Sequence, residues 1–383
     1  MILLFIVPMF VGCCAILWLY WDHFKKAPKA RGATHKKKIF ISADCWLCVF
    51  DLLEPSQLGQ GISMISHRFD VYVDEHFKTL KWALKPMQIR SKLRENGTKK
   101  MEIANYDGKP MPIPKIQLPR KVIGFKHFTI SYIDQNAIAF LHRFRQLFAV
   151  SPIHLAINTN NGRIVQFLLR DIWPIFGKNL HGFGLSATVL RRLRQFVDPS
   201  ILNEFPSLRF VRLYTVNLFA EFPADDSAAA SDGQAVTKWL FTPRSDDVPK
   251  VLKCWLDTDD GNWTTRIEAI KAAFASASSP VNFIVIFWIP LPFAASVLLF
   301  NRTNELTREQ LALKLTDFSN RFLLIRCPIA RDESKWTKWE KEATEWAINE
   351  SWNQRNEIFI QITKEDEIGD GLLDANPGPS DQQ

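Results

Sequence analysis

The apolar residues between positions 41 and 69 recur every three to four residues, which is the spacing of helices that bury one face. They are Cys45, Val49, Phe50 and Leu53 on a first helix, and Leu58, Ile62, Ile65 and Phe69 on a second. The run Glu54-Pro55-Ser56 separates them, because proline disrupts a helix interior and suits the start of the next helix. The pattern predicts a small module of three helices at residues 39–85.

From residue 126 onward, strand-like and helix-like stretches alternate. The strand starts fall near residues 128, 153, 181, 208, 251 and 281, so the spacings are 25, 28, 27, 43 and 30 residues. Near-constant spacing with one apolar face per unit is typical of a solenoid, in which stacked units bury each other. We therefore predict a mixed α+β or α/β body at residues 126–363, built as a degenerate leucine-rich-type solenoid. A β-sandwich is the alternative.

Two further elements flank the predicted repeats. Asp107-Gly108 is a strong hairpin turn signal, so residues 86–125 are predicted to form a small antiparallel β element. Near the C-terminus, a predicted helix places four residues on one face: Trp336, Trp339, Ala343 and Trp346. An open solenoid end exposes apolar surface, so this tryptophan-rich segment is predicted to cap the body.

Residues 1–21 carry no charged side chain and are long enough to cross a bilayer core of about 30 Å. Residues 22–38 follow as a basic linker, with seven Lys or Arg against Asp22 and a net charge of +6. By the positive-inside rule these charges stay in the cytosol, so we predict a membrane-spanning anchor with the body in the cytosol. The alternatives are a cleaved signal peptide, which makes the protein secreted, and a misassigned gene start, which leaves it cytoplasmic or nuclear.

The formal net charge of +8 does not indicate nucleic-acid binding, because the linker alone carries most of it. Residues 364–383 are acidic and are predicted to form a flexible tail. Six cysteines without a repeated pairing pattern favour a reducing compartment over a disulfide framework. Cys45 and Cys48 have the spacing of a redox or half-zinc site, but they stand alone on a predicted apolar face, which favours core cysteines.

The sequence contains no Walker loop, no Gly-x-Ser-x-Gly elbow and no His-Glu-x-x-His motif. His154 and His181 lie in neighbouring predicted strands, where a structural or surface position outweighs metal binding. With 47% apolar residues the chain is typical of a packed globular protein. We therefore expect a binding protein that is not an enzyme and that uses neither a cofactor nor a metal.

The helical module resembles the F-box. Ile41-Ser42, Asp44, Glu54-Pro55, Leu58 and Ile65 to Phe69 stand where the F-box consensus has Leu-Pro, an acidic residue, Asp-Pro, Leu and Val-Cys-Arg-Trp. Ser42 replaces the proline, Phe69 replaces the tryptophan, and one extra residue falls near positions 59–61.

Four later segments look like a large family of F-box proteins from plant-parasitic nematodes. They are TKWLFTPR (237–244), SSPVNFIV (278–285), IRCPIARDESKWTKWEKEATEW (325–346) and IGDGLLDANPGPS (368–380). The likeness runs from about Ile39 to Ser380, and its tryptophan-spaced segment is more specific than the F-box pattern.

This resemblance implies a substrate receptor of a cullin-type (SCF) ubiquitin ligase. The F-box docks a Skp-type adaptor that is joined to the cullin, and the C-terminal body holds a protein target. The adaptor-binding residues expected on this basis are Ile41, Cys45, Val49, Leu53, Pro55, Leu58, Ile65 and Phe69. The alternative body becomes an F-box-associated β-sandwich, and the alternative function is a secreted or lumenal binding protein, such as an effector, with a cleaved signal.

The strand pattern also predicts where a target binds. Alternate residues of a strand point to opposite faces, so His154 faces a concave wall when its neighbours Ile153 and Leu155 face the helices. The same alternation predicts four target-binding residues: His154, Arg209, Arg212 and Lys253. A basic strip of this kind prefers acidic targets.

Overall fold

The computed structural model describes residues 41–53, 58–79, 82–111, 122–176, 179–215, 218–255, 263–289, 297–316, 320–348 and 356–374. The chain divides into two compact units, Met1–Lys78 and Thr79–Gln383, which we call the helical unit and the sheet unit. The predicted membrane anchor, the basic linker and Pro55 lie outside the described residues. Within the described ranges, no helix has both the length and the apolar character needed to cross a membrane.

The helical unit is built from four short elements. They are helix α1 at Ala43–Phe50, a π-helical turn at Leu58–Ile62, a 3-10 turn at Ser63–Ile65 and helix α2 at His67–Thr79. Ser42 caps α1, since its side chain accepts a hydrogen bond from the Cys45 N–H. The unit ends at Lys78, seven residues before the predicted boundary at residue 85, and the next strand belongs to the sheet unit.

Fifteen strands occur among the described residues of the sheet unit. They are β1 Trp82–Leu84, β2 Met87–Leu93, β3 Lys99–Asn105, β4 Pro110–Met111, β5 Val122–Phe125, β6 His127–Ile130, β7 Ile153–Asn158, β8 Leu180–Leu185, β9 Phe210–Leu213, β10 Lys250–Trp255, β11 Phe283–Trp288, β12 Phe300–Asn304, β13 Glu309–Leu315, β14 Arg321–Pro328 and β15 Glu357–Gln361. Thirteen of these described strands form one sheet, in the order β12-β13-β14-β11-β10-β9-β8-β7-β15-β6-β2-β3-β4. The run from β2 to β11 is parallel, and the strands outside it pair antiparallel.

Helices connect the successive parallel strands from β6 to β11. They are α3 Gln135–Val150, α4 Gly162–Phe167, α5 Trp173–Phe176, α6 Ala187–Phe196, α7 Asp232–Phe241 and α8 Trp263–Ala275, with a π-helical turn at Leu168–Ile172 between α4 and α5. Their apolar side chains share one core with Leu155, Phe183, Val211, Leu252 and Val285 of the strands. The prediction of a mixed α/β body with alternating strands and helices is confirmed.

Strand β15 lies in the middle of the sheet, between β6 and β7. It pairs in parallel with both, which places Ile358 opposite Phe128 and Leu155. Asn356 fixes its start, because the Asn356 N–H donates to the Phe125 carbonyl at 2.6 Å and the Asn356 Oδ1 accepts from the Phe125 N–H at 3.0 Å. A simple solenoid keeps its strands in chain order, so this insertion departs from the predicted architecture.

Helix α9, Glu333–Ile348, covers the sheet face opposite the other helices. Its Trp336, Ala343 and Trp346 are buried against Phe210, Val251, Ile284, Ile286, Leu323, Ile325 and Cys327 of strands β9, β10, β11 and β14. The predicted apolar face of this helix is confirmed, but its predicted position as an end cap is wrong, because the helix lies across the face of the sheet. The alternative β-sandwich is also wrong, since helices rather than a second large sheet cover the described strands.

The segments at the two margins of the predicted body are more tightly joined to it than expected. β2 pairs with β3 antiparallel and with β6 in parallel, so residues 87–111 form an edge of the main sheet rather than a separate element. Residues 364–374 are not a flexible tail, because Ile368 and Leu372 are each only 7% exposed. Arg163 also donates to Glu365 at 2.6 Å and to Asp374 at 2.9 Å. Residues 375–383 lie outside the described residues.

Lys250 predicts a pH dependence of stability. Its side chain is 5% exposed, its Nζ donates to the Trp239 carbonyl, and burial together with Arg244 lowers its pKa to about 7. From about pH 7 to about pH 10.4, the Lys250 side chain is protonated in the unfolded chain and neutral in the folded chain. The free energy of unfolding therefore rises with pH over this range, by up to about 1.4 kcal/mol per pH unit. Below about pH 7 both states are protonated and this dependence ends.

The Lys250→Met variant is expected to lose this slope when urea unfolding is measured from pH 7 to pH 10. Lys238→Met, on the exposed side of α7, is the matched control and keeps the slope of the native chain. Equal slopes for the native chain and Lys250→Met would show that Lys250 is not buried in its neutral form.

Candidate functional site

Helix α1 turns a different face toward the core than its apolar pattern predicts. Trp46 and Phe50 pack inward with ring centroids 6.5 Å apart, whereas Cys45 is exposed and Val49 is 44% exposed. Residues advance by about 100° around a helix, so an inward Trp46 turns Cys45 and Val49 outward. The indole takes the core position because it buries far more apolar surface than a cysteine or a valine.

The core beneath this face is small and aromatic. Phe50, Leu58 and Val73 are buried, and Trp46 packs edge-to-face on Phe69 with ring centroids 4.8 Å apart. Aromatic pairs of this geometry contribute about 0.5–1.5 kcal/mol beyond the area that they bury. This core holds α1 in one orientation and so fixes which side chains point to solvent.

Six apolar side chains between positions 41 and 65 point to solvent, and we call them the outward apolar set. Its members are Ile41 (41% exposed), Val49 (44%), Leu52 (71%), Met64 (81%), Ile65 (55%) and the exposed Cys45. Each of these side chains would gain free energy if a partner covered it, because hydrocarbon exposed to water is unfavourable.

The predicted adaptor-binding residues fall into three groups. Ile41, Cys45, Val49 and Ile65 are exposed, Leu53 and Phe69 are half-buried, and Leu58 is buried at 0% exposure. Leu58 therefore supports the core of the helical unit and is not a surface contact. Sequence reasoning missed Leu52 and Met64. Leu52 follows the end of α1 at Phe50 and Met64 lies in the 3-10 turn, so α-helical spacing gives no signal for either residue.

The predicted basic strip is not an exposed wall. His154 is 1% exposed and Arg209 is 8% exposed, so neither side chain lies on the exposed concave wall that the strand pattern predicts. The His154 ring packs against the His181 ring with centroids 5.5 Å apart. Arg209 pairs with Glu342 of α9 at 2.9 Å, and burial lowers its pKa despite that carboxylate.

His181 is held neutral at physiological pH by its surroundings. Burial, with added repulsion from Arg209 and Arg244, lowers the pKa of His181 to about 4. A neutral imidazole supplies no positive charge to an acidic ligand. The His154 and His181 rings both pack on Phe210, which in turn packs on Trp346 of α9.

Arg212 and Lys253 lie opposite each other on β9 and β10 and are half-buried. Lys253 Nζ donates to the Trp346 carbonyl at 2.8 Å, in the last turn of α9, where a cation is favourable at the negative end of the helix dipole. Arg212 lies over the Tyr214 ring, 5.0 Å from its centroid. Because Lys253 donates its hydrogen bond to α9, the structure does not support an extended basic strip for acidic targets.

A groove of about 360 Å³ opens beside the first turn of α9. Its apolar lining includes Pro243, Pro280, Pro328, Trp336 and Trp339. The two indoles pack edge-to-face with ring centroids 5.3 Å apart, and Trp339 is only half-buried. The size lies within the range of about 300–1,000 Å³ that is typical of ligand pockets.

The cations beside the groove are already paired. Arg244 donates to Asp246 at 2.9 and 2.7 Å. Arg331 donates to Glu333 at 2.9 and 3.0 Å and to Glu340 at 2.8 Å, and the hydrogen bonds to Glu333 raise the pKa of Arg331. The groove therefore offers mainly indole and proline surface, which suits an apolar or proline-containing segment more than an acidic one.

In the part of the chain that the structure describes, no three His, Cys, Asp or Glu side chains are grouped so that they could hold a metal ion. Comparison with protein-family models, with curated proteins and with solved structures finds no match for this chain. Among the described residues, the outward apolar set and the groove are the surface features that best suit binding.

Proposed function

We propose that this chain is the substrate-recognition subunit of a cullin-type ubiquitin ligase. The helical unit acts as the F-box that docks a Skp-type adaptor, and the sheet unit acts as a solenoid-like receptor for a protein target. A membrane anchor at residues 1–21, with the body in the cytosol, belongs to the same proposal. The observation that carries it is the outward apolar set, because these side chains gain about 25 cal/mol for each Å² that a partner covers.

The proposed mechanism is proximity. A chain that holds the adaptor and the target at once turns the encounter of target lysines with the ubiquitin-charged enzyme into an intramolecular event. Tethering of this kind gives effective concentrations in the millimolar range for short flexible connections. The chemistry then takes place on the partner enzyme, and this chain supplies only binding and orientation.

The double variant Val49→Glu with Ile65→Glu is expected to lose capture of a Skp-type adaptor by at least a hundredfold. Both side chains are exposed, so the charges cost little in the free chain, but docking would bury them without partners. Adaptor affinity measured with the purified full chain gives the result. Circular dichroism and the unfolding midpoint report whether the chain remains folded.

Val71→Glu is the matched control, because Val71 is 50% exposed on α2 and is outside the outward apolar set. It adds the same charge and is expected to keep adaptor binding within about twofold. Leu58→Asp does not serve as a test, because Leu58 is fully buried and its replacement unfolds the helical unit. Undiminished capture by the double variant would contradict the proposed docking surface.

For the target, we place the binding site in the groove beside α9 rather than on the basic strip. The groove presents half-buried Trp339, whereas His154 and Arg209 are covered. Interfaces concentrate their binding energy in a few aromatic anchors, and tryptophan is prominent among them.

Trp339→Ala is expected to lower the recovery of a defined subset of proximity-labelled proteins at least tenfold. The recovery of the adaptor is expected to stay unchanged. Trp255→Ala is the matched control, because Trp255 is an exposed tryptophan of the same unit, at 39% exposure, outside the groove. Quantitative mass spectrometry of labelled proteins compares the two variants, and unfolding midpoints confirm that both remain folded. Identical labelling profiles would remove the groove as the target site.

A further inference from the structure

Two exposed thiols lie one helical turn apart on α1. Cys45 and Cys48 are both free and exposed, contrary to the core positions predicted from the sequence. The intervening Trp46 and Leu47 pack toward the core of the helical unit, so both thiols project from the opposite side of the helix. The Cys45 Sγ accepts a hydrogen bond from the Ser42 hydroxyl at 3.2 Å.

The other described cysteines differ in access. Cys254 and Cys327 are buried in the sheet unit, and burial raises the pKa of both thiols. A water-borne oxidant therefore reaches Cys45 and Cys48 and is kept from these two residues. The chain thus contains its own internal control for thiol reactivity.

We propose that Cys45 and Cys48 form a redox modification site, and that their oxidation by hydrogen peroxide to an intrahelical disulfide weakens adaptor docking. Both S–H bonds break, one S–S bond forms, and the two hydrogens and two electrons reduce the peroxide to two water molecules. The effect on docking rests on the proposed function, whereas the thiol chemistry does not.

The helix geometry explains why oxidation alters the docking surface. Side chains three residues apart on a helix have Cβ atoms about 5–6 Å apart, but a disulfide holds its Cβ atoms about 3.5–4.5 Å apart. Closing the bond therefore tightens the turn of α1 between Cys45 and Cys48, and Cys45 is the residue whose N–H donates to the Ser42 cap. Cys45 belongs to the outward apolar set and lies next to Val49 on the helix surface, so the change falls within that set. A strained and exposed disulfide is readily reduced, which makes the modification reversible.

The chemistry is tested by peptide mapping of the full chain after peroxide treatment and alkylation. We expect the peptide that contains both residues to have lost two hydrogen atoms and to be unalkylated, and dithiothreitol to restore alkylation at both sulfurs. Peptide mapping also separates this pair from Cys13 and Cys14. Alkylation of both Cys45 and Cys48 after peroxide, or linkage of either to another cysteine, would overturn the proposal.

The consequence is tested by adaptor affinity of the oxidised and the reduced full chain. We expect oxidation to weaken binding at least tenfold and dithiothreitol to restore it. In Cys48→Ser the intrahelical bond cannot form, so the ratio of oxidised to reduced affinity should stay near one whatever the absolute affinity. Equal affinities of the oxidised and reduced native chain would overturn the regulatory effect. If the reduced chain binds no adaptor, the proposed function fails, and the peptide map still decides the thiol chemistry.

Discussion

A chain that ends at residue 355 is expected not to fold, because it lacks the strand at the centre of the sheet. Without β15, strands β6 and β7 each lose a hydrogen-bonded neighbour. The deletion also removes Ile358, Ile360 and Ile362, which are 0%, 1% and 0% exposed. Each buried side chain of this size contributes about 1.5–3 kcal/mol, so together with Ile368 and Leu372 the loss is comparable with a typical total stability of about 5–15 kcal/mol.

A single replacement gives the same test without a deletion. Ile358→Asp places an unpaired charge between β6 and β7 and is expected to prevent folding. Gln361→Asp is the matched control, because Gln361 is exposed at the end of the same strand and its replacement leaves the core unchanged. Size-exclusion chromatography and urea unfolding distinguish the outcomes. A cooperative unfolding transition for Ile358→Asp, close to that of the native chain, would contradict the central position of β15.

The second large effect is expected at the buried ion pair of Arg326 and Glu309. Both side chains are 1% exposed, and Arg326 donates from Nη2 and Nε to the Glu309 Oε2 at 2.6 and 3.1 Å. Glu309 Oε1 also accepts from the Val281 N–H at 2.7 Å, and Arg326 donates to the Ser279 carbonyl at 2.9 Å. Arg326→Met leaves a buried carboxylate without its counter-charge and is expected to cost about 3–5 kcal/mol.

Removing both charges is expected to recover much of that loss. In Arg326→Met with Glu309→Leu no unpaired charge remains, and the residual cost comes from the unpaired Ser279 carbonyl and Val281 N–H. Lys78→Met, which breaks the exposed Lys78–Glu75 pair, is the matched control and is expected to leave the free energy of unfolding almost unchanged. Urea unfolding of the single and double variants gives the coupling free energy. Additive losses in the double variant would contradict the buried pair.

Local elements were predictable because local residues determine them. Asp134 marks the start of α3, since its side chain accepts a hydrogen bond from the Ala137 N–H at 2.9 Å. The strand–helix alternation likewise follows from the apolar periods of the chain. In these segments the local preferences agree with the fold.

The position of β15 was not predictable, because its partners are distant in sequence. The pattern of Ile358, Ile360 and Ile362 indicates a strand, but it contains nothing that selects β6 and β7 as neighbours. The same limit applies to His154 and Arg209. Alternation places His154 on the face away from the helices, where its ring packs on Phe210, and Phe210 packs on Trp346 of α9. Arg209 pairs with Glu342 of the same helix. A predicted surface therefore becomes an interior when a distant helix covers it.

The face of α1 illustrates a different limit. Cys45 with Val49, and Trp46 with Phe50, both have helical spacing, so periodicity alone does not choose the inward pair. The contact between Trp46 and Phe69 decides it, because the larger ring buries more surface. Side-chain size was the signal that periodicity omitted, and it places two predicted adaptor contacts, Cys45 and Val49, on the exposed face of α1 instead of the buried one.

Hydrogen exchange of the full chain, with and without a purified Skp-type adaptor, locates the docking surface. If the helical unit docks the adaptor, amide exchange slows in residues 43–53 and 58–65, which contain most of the outward apolar set, and stays unchanged in strands β6 to β11. The Val49→Glu with Ile65→Glu variant should show no protection. Protection confined to the sheet unit, or no protection at saturating adaptor, would contradict the proposal that the helical unit docks the adaptor.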